Sequence, residues 1–212
     1  MRFILFVEGK TEKTVLSDFI RRWLNGQFRD NIGINVVKFE GWPQYLKDVG
    51  KKAQMHLNGP RSDDIIGVIG LLDLYGPTIY PRDAINAGDR YTWGKQAVEE
   101  SVNHPQFRHF FAVHEVEAWL LSQPDIFPAA VASALGTVGA PESVNSTTPP
   151  AKLLDQTYLR ATGRGYRKVG NGRQLFAKLN ADVAYSLCPH LRLMLDEMAA
   201  MARAKGLRSS AE

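Results

Sequence analysis

The chain has 212 residues, 44% apolar and 23% charged, a length and balance that suit one sizeable hydrophobic core. No apolar run approaches the roughly 20 residues that a membrane-spanning helix needs. The N-terminus enters a strand without a signal-peptide pattern, and the single Cys188 excludes an internal disulfide or a cysteine metal cluster. A cytoplasmic protein is the resulting expectation. The net charge of +4 is unevenly spread: from Ala151 onward 11 Lys/Arg stand against 5 Asp/Glu, while the first 150 residues hold 15 and 17. A basic C-terminal third beside an acidic remainder suits a polyanion held against metal-binding carboxylates, the alternative being a solvated basic tail.

The first apolar run, Phe3–Val7, reads as a buried strand that ends in Glu8-Gly9. Thr11 then caps a helix to about Leu24. Gly33–Phe39 alternates as a half-buried strand, and Pro43 opens a second helix that runs to Leu57. Ile65–Asp73 is apolar almost throughout, as in a strand covered on both faces. Leu74–Thr92 reads as a long loop and Gly94–Asn103 as a short helix. Phe107–Val113 is a fourth strand, which leads through His114-Glu115-Val116-Glu117 into the helical Ala118–Leu121.

From Pro124 the pattern turns helical: Ile126–Leu135, then a flexible Gly136–Thr148, then a helix from Pro149-Pro150 that carries Lys152. Gly163–Gly172 reads as a mobile basic loop. Two helices, Arg173–Leu187 and Pro189–Lys205, close the chain, and the last six residues are expected to fray.

Three of the four strands thus end in acids, and strand–helix alternation with right-handed crossovers brings those ends to one sheet edge. That is the edge where open α/β sheets collect ligands. A cluster of Glu8, Asp73 and Glu115 or Glu117, with Glu12 in the following helix, is a hard oxygen-ligand set that suits Mg²⁺ or Mn²⁺. A metal held there can activate water and neutralise charge on a phosphodiester. Each acid has a plainer reading: Glu12, Glu115 and Glu117 also suit helix N-termini, where the dipole stabilises negative charge. Glu115 and Glu117 share a face only in extended chain. His114 is read as a histidine hydrogen-bonded beneath the sheet edge, with base or ligand as alternatives. Lys152 and Lys168 either support a transferring phosphate or are solvated.

Val7-Glu8-Gly9-Lys10-Thr11-Glu12 resembles the first motif of Toprim domains of the kind found in overcoming-lysogenization-defect (OLD) nucleases. Asp73-Leu74-Tyr75 resembles their Asp-x-Asp motif, with Tyr75 in place of the second Asp. The set Asp73–Gly76, His114–Ala118, Pro150-Ala151-Lys152, Tyr166-Arg167-Lys168 and Cys188–His190 resembles a bacterial family of Toprim-like proteins found beside AAA/ABC-type ATPases in defence operons. The resemblance spans nearly the whole chain. It implies an α/β Toprim-like (Rossmann-like), mostly parallel four-stranded sheet flanked by helices, with residues 1–122 as the core and 123–212 as a helical basic extension packed on it.

The activity it implies is a Mg²⁺- or Mn²⁺-dependent nuclease, with Glu8, Asp73, Glu115, Lys152 and Lys168 catalytic and Glu8, Glu12, Asp73, Glu115 and Glu117 at the metal. Partners would be DNA or RNA and an ATPase encoded nearby. A second expectation, carried by Tyr75 and by Trp42, Trp93 and Trp119 on or near loops, is a catalytically degenerate adaptor that binds nucleic acid or an ATPase. Nucleotide binding at the same edge is a third; the missing glycine-rich dinucleotide fingerprint argues against a dehydrogenase.

Overall fold

In the computed structural model four strands, β1 (Arg2–Val7), β2 (Gly33–Lys38), β3 (Ile65–Asp73) and β4 (Phe107–Ala112), form one fully parallel sheet in the order β2-β1-β3-β4. The structure describes residues 1–144 and 148–210, with the backbone alone for residues 10–14. The side chain of Glu12 therefore lies outside the described residues. Strand periodicity divides the core. Phe3, Leu5 and Val7 face one layer, and Ile4 and Phe6 the other.

The first layer holds α1 (Lys10–Gln27), α4 (Glu117–Leu120), α5 (Ala129–Leu135), α6 (Pro150–Thr162), α7 (Gly170–Lys178), α8 (Ala181–Leu187) and α9 (Pro189–Ala204). The second holds α2 (Trp42–Leu57) and α3 (Ala87–Val102). Helix α1 buries Val15, Leu16, Phe19, Ile20, Trp23 and Leu24, the i, i+3, i+4 pattern of an amphipathic helix. Phe19 stacks on Trp119, and Phe176 meets Phe19 edge-on at 5.8 Å, so α7 shares the core of the sheet.

The crossover from β1 steps outward to β2 through α1 on one face. The next steps back over β1 to β3 through α2 on the opposite face. The direction of winding reverses between β1 and β3, which opens a crevice at their C-terminal ends. That crevice positions the site.

Several local expectations change. Thr11 lies inside α1, whose N-cap is Gly9. Helix α3 begins at Ala87, seven residues before Gly94, because the Asn86 side chain accepts the Asp89 N–H at 2.9 Å and caps it. Pro128 separates the short α5 from a 3₁₀ turn at Pro124–Ile126. The single helix expected over Arg173–Leu187 is two, α7 and α8, broken at Leu179-Asn180, where the Asn180 side chain caps the second.

Trp119 is 1% exposed, in the core rather than on a loop. The chain end does not fray up to Ser210: Leu207 is buried, the Arg29 N–H donates to Arg208 O at 3.1 Å, and the Ser210 N–H donates to Gln27 O at 2.8 Å. These bonds close a short antiparallel bridge against the end of α1.

Candidate functional site

Glu8 follows β1 directly, Asp73 is the last residue of β3, and His114–Glu117 continues from β4, so a parallel sheet delivers all of them to one edge. Glu8 and Asp73 line the same cavity, of about 120 Å³, with Leu71, Leu72 and Val116. The chain after β3 folds back over it: the Gly76 N–H donates to Asp73 O at 3.2 Å, and a Cβ on Gly76 would stand 3.3 Å from Glu8 Oε2. The Asp73–Gly76 turn is thus closed on the Glu8 carboxylate and leaves little room for a side chain at Gly76. The Val116 N–H donates to Asp73 Oδ1 at 3.3 Å and ties the ends of β3 and β4 together.

Glu115 and Glu117 converge on Lys168, whose Nζ is 3.4 Å from Glu115 Oε1 and 3.4 Å from Glu117 Oε2. Burial opposes charge on this lysine, but Glu117 and Glu115, with Asp73 behind them, outweigh it and raise its pKa. The ammonium is therefore retained among the carboxylates through the neutral range. Glu117 is itself 1% exposed. Glu115 Oε2 accepts the Ala151 N–H at 2.9 Å, in the first turn of α6, a position favourable to an anion. Glu115 thus does two things at once: it pairs with Lys168 and it accepts from the N-terminus of α6, a helix other than the one that follows it in the chain.

Lys168 lies 51 residues from Glu117 in sequence, and the segment that carries it is tethered rather than loose. The Tyr166 N–H donates to Asp155 Oδ1 and the Arg167 N–H to Asn171 Oδ1, while Tyr166 is 9% exposed, so the expected mobile loop is a pinned turn. Lys152, by contrast, is exposed on the first turn of α6 and, among the described residues, forms no ion pair with these acids.

His114 is buried beneath the edge, but its Nδ1 has no hydrogen-bond partner among the described residues. Its ring instead packs against Tyr75, with centroids 4.2 Å apart, and so the expected hydrogen bond is replaced by a ring contact. Burial, helped by His190 and Arg90 against the pull of Glu115, lowers its pKa to about 4. His109, fully buried on β4 with Nδ1 2.9 Å from the Tyr45 hydroxyl, is lowered to about 3 by burial and then Lys95. Both are depressed from 6.5, so below that value the unfolded chain takes up protons that the native state refuses. Stability is expected to fall as pH drops from about 6.5 through 4. Between pH 7 and pH 4.5 the His109 contribution is about 2–3 kcal/mol, at about 1.4 kcal/mol for each pH unit below 6.5. Urea unfolding at pH 7 and pH 4.5 measures it, and equal midpoints would contradict it.

Sequence reasoning missed Glu142, which lies in the stretch read as flexible. It is 6% exposed and accepts the His190 N–H at 2.7 Å and the Leu191 N–H at 3.1 Å. The signal was indirect: α9 opens with Cys188-Pro189 and makes no side-chain cap of its own, so its first donors need an acceptor from elsewhere. Tyr75 also escaped a structural reading; it is 49% exposed at the mouth of the site.

Among the described residues no group of three His, Cys, Asp or Glu side chains could hold a metal ion. The Glu8–Asp73 pair nonetheless has the right chemistry for one: two carboxylates at a common cavity fit a Mg²⁺-type ion that keeps several waters and takes further oxygens from phosphate.

Fold and site together define an α/β protein with a carboxylate-lined crevice at the switch point of a parallel sheet. Residues 7–199 match the family described as Domain of unknown function (DUF4276), and the chain belongs to that family. No curated protein matches it. Solved structures similar to it include the C-terminal region of the Burkholderia pseudomallei OLD protein, at 19% identity and a TM-score of 0.45, covering 95% of this chain and 98% of that one. The C-terminal region of the Xanthomonas campestris pv. campestris OLD protein is similar at 16% identity and a TM-score of 0.43, covering 96% and 95%.

Proposed function

We propose that the chain is a Mg²⁺- or Mn²⁺-dependent nuclease of Toprim type. The observation that carries this reading is the meeting of Glu8 and Asp73 at one cavity, with the Lys168 ammonium held by Glu115 and Glu117 where the charge of Asp73 still reaches it. Glu8 and Asp73 would hold the ion, whose role when bound is to polarise a phosphodiester oxygen and lower the pKa of a water. Lys168 keeps its proton and presents a positive charge to the phosphate, while Glu117 and Glu115 hold it in place. Glu115 also fixes the N-terminus of α6, so the orientation of Lys168 is coupled to the helical extension. The basic balance beyond Ala151 suits a nucleic-acid backbone. The motif resemblance adds a setting in bacterial defence and an AAA/ABC-type ATPase partner, and the single cysteine suits a cytoplasmic location.

The test is cleavage of supercoiled plasmid and of single-stranded RNA by the full chain with Mg²⁺ or Mn²⁺, against EDTA and against Asp73→Asn. Metal-dependent cleavage by wild type that is lost in Asp73→Asn supports the reading. Cleavage that persists in EDTA or in that variant overturns it. Tyr75, standing where the resembling motif has a second Asp, favours one other reading, a non-catalytic adaptor. That reading predicts no heat of Mn²⁺ binding by calorimetry, and a saturable signal would exclude it.

A further inference from the structure

The segment between β3 and α3 carries a surface that the proposed chemistry does not use. Tyr75, two residues beyond Asp73, is half exposed while its ring rests on His114. The Arg90 guanidinium lies 5.7 Å from the Tyr75 ring centroid and 5.6 Å from that of Tyr80. Tyr80 in turn meets Trp93 edge-on at 6.3 Å, and Trp93 is 38% exposed. An aromatic strip with the Arg90 guanidinium among its rings thus runs outward from the acidic edge, and its flank opens into a cavity of about 450 Å³ beside Pro81 and Trp93 that Asp83 and Asp89 also line.

The strip is built rigidly. The Tyr80 hydroxyl donates to Leu74 O at 2.7 Å, Arg90 Nε donates to Ala84 O at 3.2 Å, and the Asn86 cap holds the start of α3. Among the described residues Arg90 has no carboxylate partner, so its charge is directed over rings rather than into an ion pair. A guanidinium beside exposed aromatic rings presents two things at once: faces for planar groups and a fork for phosphate.

We infer that this strip binds single-stranded nucleic acid, with Tyr75 as the base-stacking residue nearest the cleavage edge and Trp93 as a second platform farther out. This rests on the nuclease reading only for the location of that edge. In a duplex both faces of each base are already stacked within the helix, so an exposed ring such as Tyr75 finds no free base face to stack on. An unpaired base can swing out against it, and stacking of this kind is tolerant of sequence. The positive charge of Arg90 then falls on the strand's phosphates, next to the carboxylates that would hold the metal.

Fluorescence anisotropy with a labelled oligothymidylate and a blunt duplex of equal length, both in EDTA, tests this without any cleavage. The full chain is compared with Tyr75→Ala, Trp93→Ala and Tyr75→Phe, each checked for an unchanged melting temperature. The expected result is tighter binding of the single strand than of the duplex by wild type. Tyr75→Ala should weaken single-strand binding about tenfold, Tyr75→Phe should retain it, and duplex binding should not change. Equal affinity for both forms, undiminished binding by Tyr75→Ala, or no oligonucleotide binding at all would overturn the inference. Metal-dependent cleavage with undiminished Tyr75→Ala binding would overturn it and leave the nuclease reading standing. Selective, Tyr75-dependent binding without cleavage would do the reverse.

Discussion

Glu8→Gln is expected to reduce metal-dependent cleavage by at least about a hundredfold while leaving the melting temperature within a few degrees of wild type. The substitution keeps the shape of the side chain and one oxygen, so the Asp73–Gly76 turn that closes on it at Gly76 still fits. What it removes is the negative charge on one side of the cavity shared with Asp73. Two carboxylates around a divalent ion balance its charge; a carboxylate and an amide leave one positive charge uncompensated and turn two N–H donors toward a cation. Metal affinity and turnover should therefore fall together. Cleavage of plasmid or RNA across a Mn²⁺ titration measures both. Wild-type rates in this variant would remove Glu8 from the site.

Gly70→Ala carries the largest expected effect on stability. Gly70 lies mid-strand in β3, paired with Phe6 on one side and His109 on the other. A Cβ there would stand 1.9 Å from the Tyr45 hydroxyl and 2.6 Å from His109 Nδ1. Both residues are fully buried and bonded to each other, so neither has room to yield. Overpacking a tight core costs about 1–3 kcal/mol. Separating Tyr45 from His109 leaves buried polar groups unpaired at about 1–3 kcal/mol more. A combined loss on the order of 4 kcal/mol is a large part of the stability of an ordinary domain. Gly26→Ala is the contrast: it lies in α1 with nothing within 4 Å of an added Cβ, and should stabilise by about 0.5–1 kcal/mol. Urea denaturation of the two variants should give opposite signs; a shift below about 1 kcal/mol for Gly70→Ala would contradict the packing argument.

Much of this was legible in residues alone because the signals are local. Strand β3 is apolar on every residue but the last, so its limits, Ile65–Asp73, follow from composition. Helix α2 shows Tyr45, Val49, Ala53 and Leu57 at helical spacing and buries all four. An acid directly after a buried strand is visible as such, which is why Glu8 and Asp73 could be named. Elements whose limits depend on capping were read less well. The start of α3 hangs on one Asn86 side chain, and the split between α7 and α8 on Asn180, neither of which alters the apolar pattern.

Tertiary structure decided the rest, because it concerns which ends meet. The order β2-β1-β3-β4, with α1 and α2 on opposite faces, is what sets Glu8 beside Asp73 at a reversal of winding. No spacing in the chain encodes the meeting of Lys168 with Glu115 and Glu117, since a contact across 51 residues depends on how α6 and α7 pack under the sheet edge. The same holds for Glu142 at the start of α9 and for the chain end against Gln27. The sequence by itself determined the strands, their acidic ends and the faces that must be buried, since these arise from periodicity and short-range sterics. Packing alone determined which charges face one another, since a carboxylate's partner is chosen by the fold that brings it within a few ångströms.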